Sequence, residues 1–256
     1  MKREKEESVV EVLHKTIASG TQVWFYVKFG KVYYHREWDK PAMVGIDGSV
    51  RYFIHGKLHR DGDKPAMVLA DGSQYFFKDG SPHREDGPAE ILADGTMRYF
   101  RHGKLHRAVG PAVIAADGSV EYHRDGLRHN AQGPAAIMKT GKVVTEYRFW
   151  NALHNFDGPA VEFRSGAKDW YIFGLRHNYV GPAIITEHGD RRYFLHGVEM
   201  SETEWKELIK DRSFAEISAI MYGKHPTKEV SRHVARVLKS LGEARALKSI
   251  KKFSSF

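Results

Sequence analysis

The 256-residue sequence contains no cysteine. It therefore forms no disulfide and offers no thiolate for a metal site or for nucleophilic catalysis, a usage typical of the reducing cytosol. No run of about 18 apolar residues is present, so no transmembrane helix is expected. The opening residues, MKREKEE, lack the apolar core of a signal peptide. Together these absences lead us to expect a cytoplasmic protein.

The motifs of the common catalytic sites are missing as well. There is no Gly-x-Ser-x-Gly nucleophile motif, no phosphate-binding loop and no His-Glu-x-x-His pair. We therefore expect no enzymatic activity, no cofactor and no resident metal ion. Glycine is abundant by contrast, with 24 residues, and its positions follow a repeat.

A pattern centred on Pro-Ala recurs seven times. Its prolines stand 24, 23, 23, 23, 25 and 23 residues apart. The stretches that begin at these prolines are here called copies 1 to 7: Pro41, Pro65, Pro88, Pro111, Pro134, Pro159 and Pro182. A fixed period of this length is typical of a stacked repeat array, in which each unit buries its apolar side against its neighbours. Such arrays usually offer a long binding surface and seldom a deep catalytic pocket.

Each copy carries the same landmarks in phase. Seven residues after the proline stands a glycine: Gly48, Gly72, Gly95, Gly118, Gly141, Gly166 and Gly189. An aromatic column follows: Tyr52, Phe76, Tyr99, Tyr122, Tyr147, Trp170 and Tyr193. A second turn residue comes next: Gly56, Gly80, Gly103, Gly126, Asn151, Gly174 and Gly197. Three residues later come the column histidines: His59, His83, His106, His129, His154 and His177, with His35 in the corresponding place at the start of the array.

These landmarks predict a mainly β fold, an elongated antiparallel β-repeat ribbon with meander topology and a small helical C-terminal domain. The Asp47-Gly48 pair and its equivalents favour a two-residue type I′ hairpin turn, and His102-Gly103 favours a second tight turn in each copy. Three domains are predicted: a helical or flexible N-terminal segment over 1–22, the seven-copy array over 23–200, and a basic helical domain over 201–256.

Two stretches of the chain resemble a known family. The run YFRHGKLHR at 99–107 followed by Gly-Pro-Ala at 110–112, and the ending GVEMSE at 197–202, are similar to MORN-like repeat variants of bacterial, phage and large-virus proteins. The resemblance covers roughly residues 23–205. It implies a protein-interaction module, such as a phage or bacterial inhibitor, an antitoxin-like protein or a scaffold. If the source is viral, it also implies that the protein acts in the host cytoplasm.

The column histidines invite a metal-binding hypothesis, which strand spacing argues against. Neighbouring strands lie about 4.8 Å apart, so equivalent histidines two strands apart are separated by roughly 10 Å. A zinc ion needs all its ligand atoms at about 2 Å. We therefore expect each histidine to be architectural, hydrogen-bonded at its corner to a following acidic residue such as Asp61, Asp86 or Asp157.

Arginines that follow the early column histidines form one candidate binding stripe. Its members are Arg36, Arg60, Arg84 and Arg107. Acidic residues stand beside them in sequence, which favours local ion pairing. Asparagine replaces this arginine at 130, 155 and 178, so the row of cations is not uniform along the array.

The C-terminal segment is predicted to be helical and basic. Ser201 and Glu204 are spaced as a capping box, and Ser213 and Glu216 as a second. Residues 222–256 contain nine Lys or Arg against two Glu, which accounts for most of the chain's net charge of +8. The candidate binding residues of this tail are Lys228, Arg232, Arg236, Lys239, Arg245, Lys248, Lys251 and Lys252.

Three functions are compatible with the sequence. The first is binding of a protein partner along the repeats. The second is binding of nucleic acid by the basic tail, with the steep salt dependence of phosphate contacts. The third is a structural component that assembles with itself through an uncapped end of the array.

Overall fold

The computed structural model describes residues 11–36 and 39–210. The chain divides into two compact units. Unit 1 comprises Met1–Gly118 and His123–Gly126, and unit 2 comprises Ser119–Tyr122 and Leu127–Phe256.

Short strands dominate both units. The strands from the start of the chain to copy 4 lie in unit 1: β1 (Leu13–Thr16), β2 (Gln22–Lys28), β3 (Lys31–Tyr34), β4 (Met43–Val44), β5 (Val50–Arg51), β6 (Phe53–Ile54), β7 (Lys57–Leu58), β8 (Met67–Val68), β9 (Gln74–Tyr75), β10 (Phe77–Lys78), β11 (Ser81–Pro82), β12 (Glu90–Ile91), β13 (Met97–Arg98), β14 (Phe100–Arg101), β15 (Lys104–Leu105) and β16 (Val113–Ile114). Next along the chain come β17 (Val120–Glu121) in unit 2 and β18 (His123–Arg124) in unit 1.

Unit 2 continues with the same kind of strand and ends in a helix. Its further elements are β19 (Leu127–Arg128), β20 (Ala136–Ile137), β21 (Val143–Glu146), β22 (Arg148–Phe149), β23 (Ala152–Leu153), β24 (Val161–Phe163), β25 (Lys168–Asp169), β26 (Tyr171–Ile172), β27 (Leu175–Arg176), β28 (Ile184–Ile185), β29 (Arg191–Leu195), β30 (Val198–Met200) and α1 (Glu202–Ile209). The prediction of a mainly β, antiparallel meander followed by a C-terminal helix is confirmed.

Copies 1 to 6 each contribute to two kinds of strand pair. The strands on either side of the first turn join the main meander, as in β4 with β5 and β5 with β8. The chain then leaves the meander at the aromatic column and forms a separate two-stranded side hairpin, such as β6 with β7. The backbone of Tyr52 makes this junction, because its N–H donates to the carbonyl of Ala66 while its own carbonyl accepts from His59.

The first turn of each copy differs from the prediction. Asp47-Gly48 belongs to a three-residue loop, in which the Gly45 N–H donates to the Ser49 carbonyl and the Gly48 N–H donates to the Gly45 carbonyl. Only Gly48 has positive φ, at 84°, so the loop is a type I turn closed by a left-handed residue and not a type I′ turn. The Asp47 side chain accepts from the Ser49 N–H, and this bond favours the wider loop.

The second turn is tight, as predicted, and has type I′ geometry. His102 and Gly103 have φ of 48° and 77°, and they connect β14 to β15. The turn also links neighbouring copies, because the Gly103 N–H donates to the carbonyl of Pro82 in the preceding side hairpin. The same bond recurs in unit 1 from Gly56, Gly80 and Gly126, and in unit 2 from Asn151, Gly174 and Gly197.

Substitution of Gly103 tests this geometry. We expect Gly103→Val to lower the free energy of unfolding by about 1–3 kcal/mol, because a β-branched residue is strained at positive φ. Gly103→Asn is the matched control, since Asn151 occupies the equivalent position at φ 69°. Urea unfolding followed by circular dichroism measures both variants. Equal cost for Val and Asn would contradict the turn assignment.

The core of the array is built from the alanines that follow the repeated prolines. All seven are fully buried: Ala42, Ala66, Ala89, Ala112, Ala135, Ala160 and Ala183. In five copies the alanine N–H bonds to the return strand of the same copy, as from Ala66 to the Tyr75 carbonyl. A methyl side chain fits this position because neighbouring strands pass close on both sides.

The N-terminal segment differs in part from the prediction of a helical or flexible 1–22. Residues Leu13–Thr16 form β1, which pairs antiparallel with β2 from Leu13 opposite Phe25 to Thr16 opposite Gln22. His14 stacks on Trp24, with ring centroids 4.5 Å apart. This cross-strand contact and the tight turn at Ile17–Thr21 favour a strand over a helix here.

Helix α1 closes the end of unit 2. The predicted capping box is present: the Ser201 side chain accepts from the Glu204 N–H, and the Glu204 side chain accepts from the Ser201 N–H. Trp205 is buried against Tyr193 and Leu195, and its indole N–H donates to the Asn178 carbonyl. The helix therefore covers the last strands of the array. Within the described ranges, no helix has the length and apolarity that a membrane crossing requires.

Candidate protein-interaction surface

The loops that connect each column histidine to the next proline recur in both units, and these loops are here called the corner row. In unit 1 it comprises the described residues of 36–40 together with 60–64, 84–87 and 107–110, and in unit 2 it comprises 130–133, 155–158 and 178–181. Each corner starts where the histidine N–H bonds to the carbonyl of the aromatic column, as from His83 to Phe76. It ends at the buried alanine, so both ends of every loop are fixed by the array.

The four stripe arginines stabilise the corners of unit 1 by stacking on aromatic rings and by donating hydrogen bonds. Arg60, Arg84 and Arg107 each lie over a ring of the aromatic column, and Arg36 lies over the ring of Trp24. The guanidinium carbon is 3.7 to 3.8 Å from the ring centroid in all four. Each also donates to a proline carbonyl at the end of its own corner. The pairs are Arg36 with Pro41, Arg60 with Pro65, Arg84 with Pro88 and Arg107 with Pro111.

Asparagine does the corresponding work in unit 2. The side-chain N–H of Asn155 donates to the Pro159 carbonyl at 2.9 Å, and its side-chain oxygen accepts from the Asp157 N–H at 3.1 Å. Asn130 and Asn178 make the same two bonds in their own corners. The change from arginine to asparagine therefore keeps the hydrogen bond to the proline carbonyl. The stack of the cation on an aromatic ring is replaced by a hydrogen bond from a backbone N–H within the same corner.

Carboxylates cover two of the four stripe arginines, Arg60 and Arg84, on the solvent side. Arg84 donates through two nitrogens to Asp63 of the preceding corner, at 2.7 and 2.8 Å, and Arg60 makes the same paired contact with Asp39. The Arg84 side chain is 19% exposed and that of Asp63 is 56% exposed. These contacts hold the pKa of Asp39 and of Asp63 below their usual range, chiefly through the hydrogen bonds from Arg60 and Arg84. The surface at these corners thus presents carboxylate more than guanidinium.

The column histidines hold the corner row to the next side hairpin. The backbone N–H of the first residue in the following type I′ turn donates to the histidine Nδ1, as from His102 to His83 at 3.1 Å. In unit 2, the N–H groups of Trp150, Phe173 and His196 make this bond to His129, His154 and His177. A ring nitrogen that accepts a hydrogen bond carries no proton, so this bond favours the tautomer with its hydrogen on Nε2.

Two column histidines of unit 1 also meet acidic residues of the corner. His59 Nε2 lies 3.0 Å from Asp61, as predicted, and His83 Nε2 lies 3.0 Å from Glu85 in place of the predicted Asp86. Beside His154 the corresponding position is filled by Phe156, whose ring meets the imidazole edge to face at 4.0 Å. The architectural interpretation of the histidines is supported by these contacts. Among the described residues, no group of three or more His, Asp or Glu side chains is arranged to hold a metal ion.

Burial sets the titration of the histidines at the end of unit 2. Desolvation lowers the pKa of His154 to about 4 and that of His196 to about 4. Desolvation together with the neighbouring His196 lowers the pKa of His177 to about 3. These rings are packed among apolar and aromatic groups such as Phe173 and therefore resist protonation.

The tips of the corners change in character along the array, which sequence analysis did not single out. The residues two positions before each proline are Asp39, Asp63, Asp86, Val109, Gln132, Asp157 and Val180. Val109 in unit 1 and Val180 in unit 2 are both 85% exposed. A constant frame with variable tips was visible in the sequence once the repeats were aligned on proline.

A cleft of about 630 Å³ opens beside the first two corners of unit 1. Tyr52 and Phe53 supply apolar walls, and Lys40, Arg60 and Asp61 supply charged groups. Its mixed lining suits a long side chain that has both an apolar stem and a polar end.

Substitution of Arg84 tests how much the hydrogen bond to the proline carbonyl stabilises a corner. Arg84→Asn keeps a donor for the Pro88 carbonyl but loses the ring stack and the pair with Asp63, so we expect it to cost about 1 kcal/mol of unfolding free energy. Arg84→Ala also loses the bond to proline and should cost about 1 kcal/mol more. Urea unfolding at neutral pH measures the difference. If Asn were as costly as Ala, the bond to the proline carbonyl would not be the shared function of the two residues.

The candidate tail cations, Lys228 to Lys252, lie outside the described residues, as does the second predicted capping box. A scan against models of known protein families finds no match to the chain. A search of curated proteins also finds no significant match.

Proposed function

We propose that the chain is a non-enzymatic protein-binding module whose corner row contacts the partner. The observation that carries this proposal is the contrast between a constant frame and variable tips. Buried alanines and the bonds from turn amides to the column histidines recur along the array, while the residues two positions before the prolines vary among aspartate, glutamine and valine. Repeat proteins that bind other proteins combine a fixed scaffold with a variable surface in this way.

The exposed side chains indicate the chemistry of the partner at each unit. In unit 1, Asp61 and Glu85 are 87% and 67% exposed, and their contacts are with histidines. They retain their negative charge and suit a partner segment with lysine or arginine.

In unit 2 two exposed side chains favour an apolar contact. Val180 is almost fully exposed and Phe156 is 40% exposed, although the asparagine braces behind them satisfy the backbone internally. Exposed apolar side chains on a fixed backbone lose little conformational entropy on binding. The resemblance to MORN-like repeats implies the same class of function, with an inhibitor, antitoxin-like or scaffold role as its specific form.

The test is an affinity capture from lysate, run with and without nuclease treatment. Four baits are used: the full chain, residues 1–221, Val180→Asp, and Ile46→Asp as a matched control. Ile46 is 81% exposed but lies in a first-turn loop away from the corners. We expect a protein partner that is captured by the full chain, the truncated chain and Ile46→Asp, and is lost with Val180→Asp. Capture of the same partner by the Val180→Asp bait would contradict the proposed surface in unit 2. Nucleic acid recovered without nuclease, and only when residues 222–256 are present, would assign the function to the basic tail.

A further inference from the structure

Strand β1 presents an unusual edge to solvent. All four of its residues are exposed, and Leu13 is 43% exposed. It pairs with β2 along one edge, and none of the described residues pairs with the other. Natural proteins usually protect such an edge, because its free N–H and C=O groups can pair with another strand.

The register of β1 shows which backbone groups point outward. The Ile17 N–H donates to the Thr21 carbonyl, so hydrogen-bonded pairs with β2 fall on odd-numbered residues of β1. The N–H and C=O groups of His14 and Thr16 therefore point away from β2, and those of Val12 follow the same alternation. On the opposite edge of β2, the N–H of Trp24 donates to the Ala42 carbonyl, which agrees with this alternation.

We propose that β1 pairs antiparallel with β1 of a second copy of this chain across a two-fold axis at Leu13. In that register Val12 of one copy faces His14 of the other, and both have outward-pointing backbone groups, as hydrogen-bonded pairs require. Leu13 faces its own equivalent at the axis, in a pair of the kind that brings side chains closest together.

Charge complementarity selects this partner and this register. Pairing centred at Leu13 places Glu11 of each copy directly opposite Lys15 of the other, so the two-fold axis generates two ion pairs. A register centred one residue later would place Lys15 opposite Leu13 and lose both. A strand whose ends carry opposite charges at equal distance from an apolar centre is self-complementary.

The contact is small, with five residues, Glu11 to Lys15, from each copy. Interfaces of this size are typical of weak, reversible association, so we expect a dissociation constant on the order of 10 to 100 µM. The dimer involves the N-terminal edge of unit 1 only. It is independent of the corner row and of the function proposed for it.

Sedimentation velocity of the full chain, from about 5 to about 500 µM, tests the proposal. We expect a monomer–dimer equilibrium that Glu11→Lys and Lys15→Glu each weaken tenfold or more, by placing like charges opposite each other. The double variant exchanges the charges and should return to within about threefold of the parent. Lys31→Glu, at an exposed lysine in β3, should leave the equilibrium as in the parent.

A backbone variant gives an independent check. His14→Pro removes an outward N–H and also the stack on Trp24, so it should abolish dimerisation. His14→Ala loses the same stack but keeps the N–H, and it should still dimerise. A chain that remains monomeric at the highest concentration overturns the proposal. Self-association that is unchanged in the charge variants and in His14→Pro also overturns it, because another surface would then be responsible.

Discussion

Replacing Trp205 by alanine is expected to lower the free energy of unfolding by about 3–5 kcal/mol, the cost of removing a large aromatic side chain from a core. The indole is 6% exposed, and its ring centroid lies 5.2 Å from that of Tyr193. Its loss also leaves the buried Asn178 carbonyl without its indole donor. Urea unfolding followed by circular dichroism measures the change.

Trp205→Phe separates packing from hydrogen bonding at this site. Phenylalanine keeps an aromatic ring against Tyr193 and Leu195 but cannot donate to Asn178, so we expect it to cost about 1–2 kcal/mol, well below alanine. Hydrogen exchange should show faster amide exchange in β29 and β30 for both variants. A cost below about 1 kcal/mol for alanine would mean that α1 does not cap the array.

Acidification is expected to destabilise unit 2 between about pH 6.5 and pH 4. In the folded chain, burial keeps His154, His177 and His196 neutral, with their pKa values lowered to about 4, 3 and 4. The unfolded chain takes up protons at these residues below pH 6.5, so the stability they contribute is complete above that pH and is lost as the pH falls towards 4. At pH 5 the loss is about 2 kcal/mol for each histidine.

Unfolding in urea at several pH values, followed by tryptophan fluorescence, measures this dependence. His154→Gln should flatten the profile by roughly one histidine's share, because glutamine does not titrate while its oxygen can still accept from the Phe173 N–H. The control is His188→Gln, at an exposed histidine whose side chain is 79% accessible. If His154→Gln left the slope between pH 6.5 and 4 as steep as in the parent, another group would be the origin of the acid sensitivity.

Much of the fold could be predicted because its signals are local and repeated. The Pro-Ala spacing, the glycine at the second turn and the Ser201 capping box each act within a few residues, and each has the expected structure. The predicted type of the first turn was wrong, because an Asp-Gly pair fits both the two-residue type I′ loop and the three-residue loop. The bond from the Ser49 N–H to Asp47, which distinguishes them, depends on a side-chain orientation that sequence spacing does not specify.

The candidate surface was harder to predict because its contacts join residues about twenty positions apart. The arginines were recognised as a stripe, and local ion pairing was expected, but the acids that cover Arg60 and Arg84 come from the preceding corners. The stacking of Arg84 on Phe76 and its replacement by the Asn155 brace depend on the three-dimensional neighbourhood of each corner. Once these contacts are known, the exposed tips can be identified as the variable part of the surface.

The bond from each second-turn amide to the preceding side hairpin gives the array a direction. In unit 1 the Gly80 N–H reaches the Leu58 carbonyl and the Gly103 N–H reaches the Pro82 carbonyl, so every copy docks on its predecessor through the same donor and acceptor. Because the joint between neighbours is alike, loss or duplication of one complete copy recreates the same joint. Arrays of this type can therefore change in length during evolution by whole copies, while partial deletions break the register.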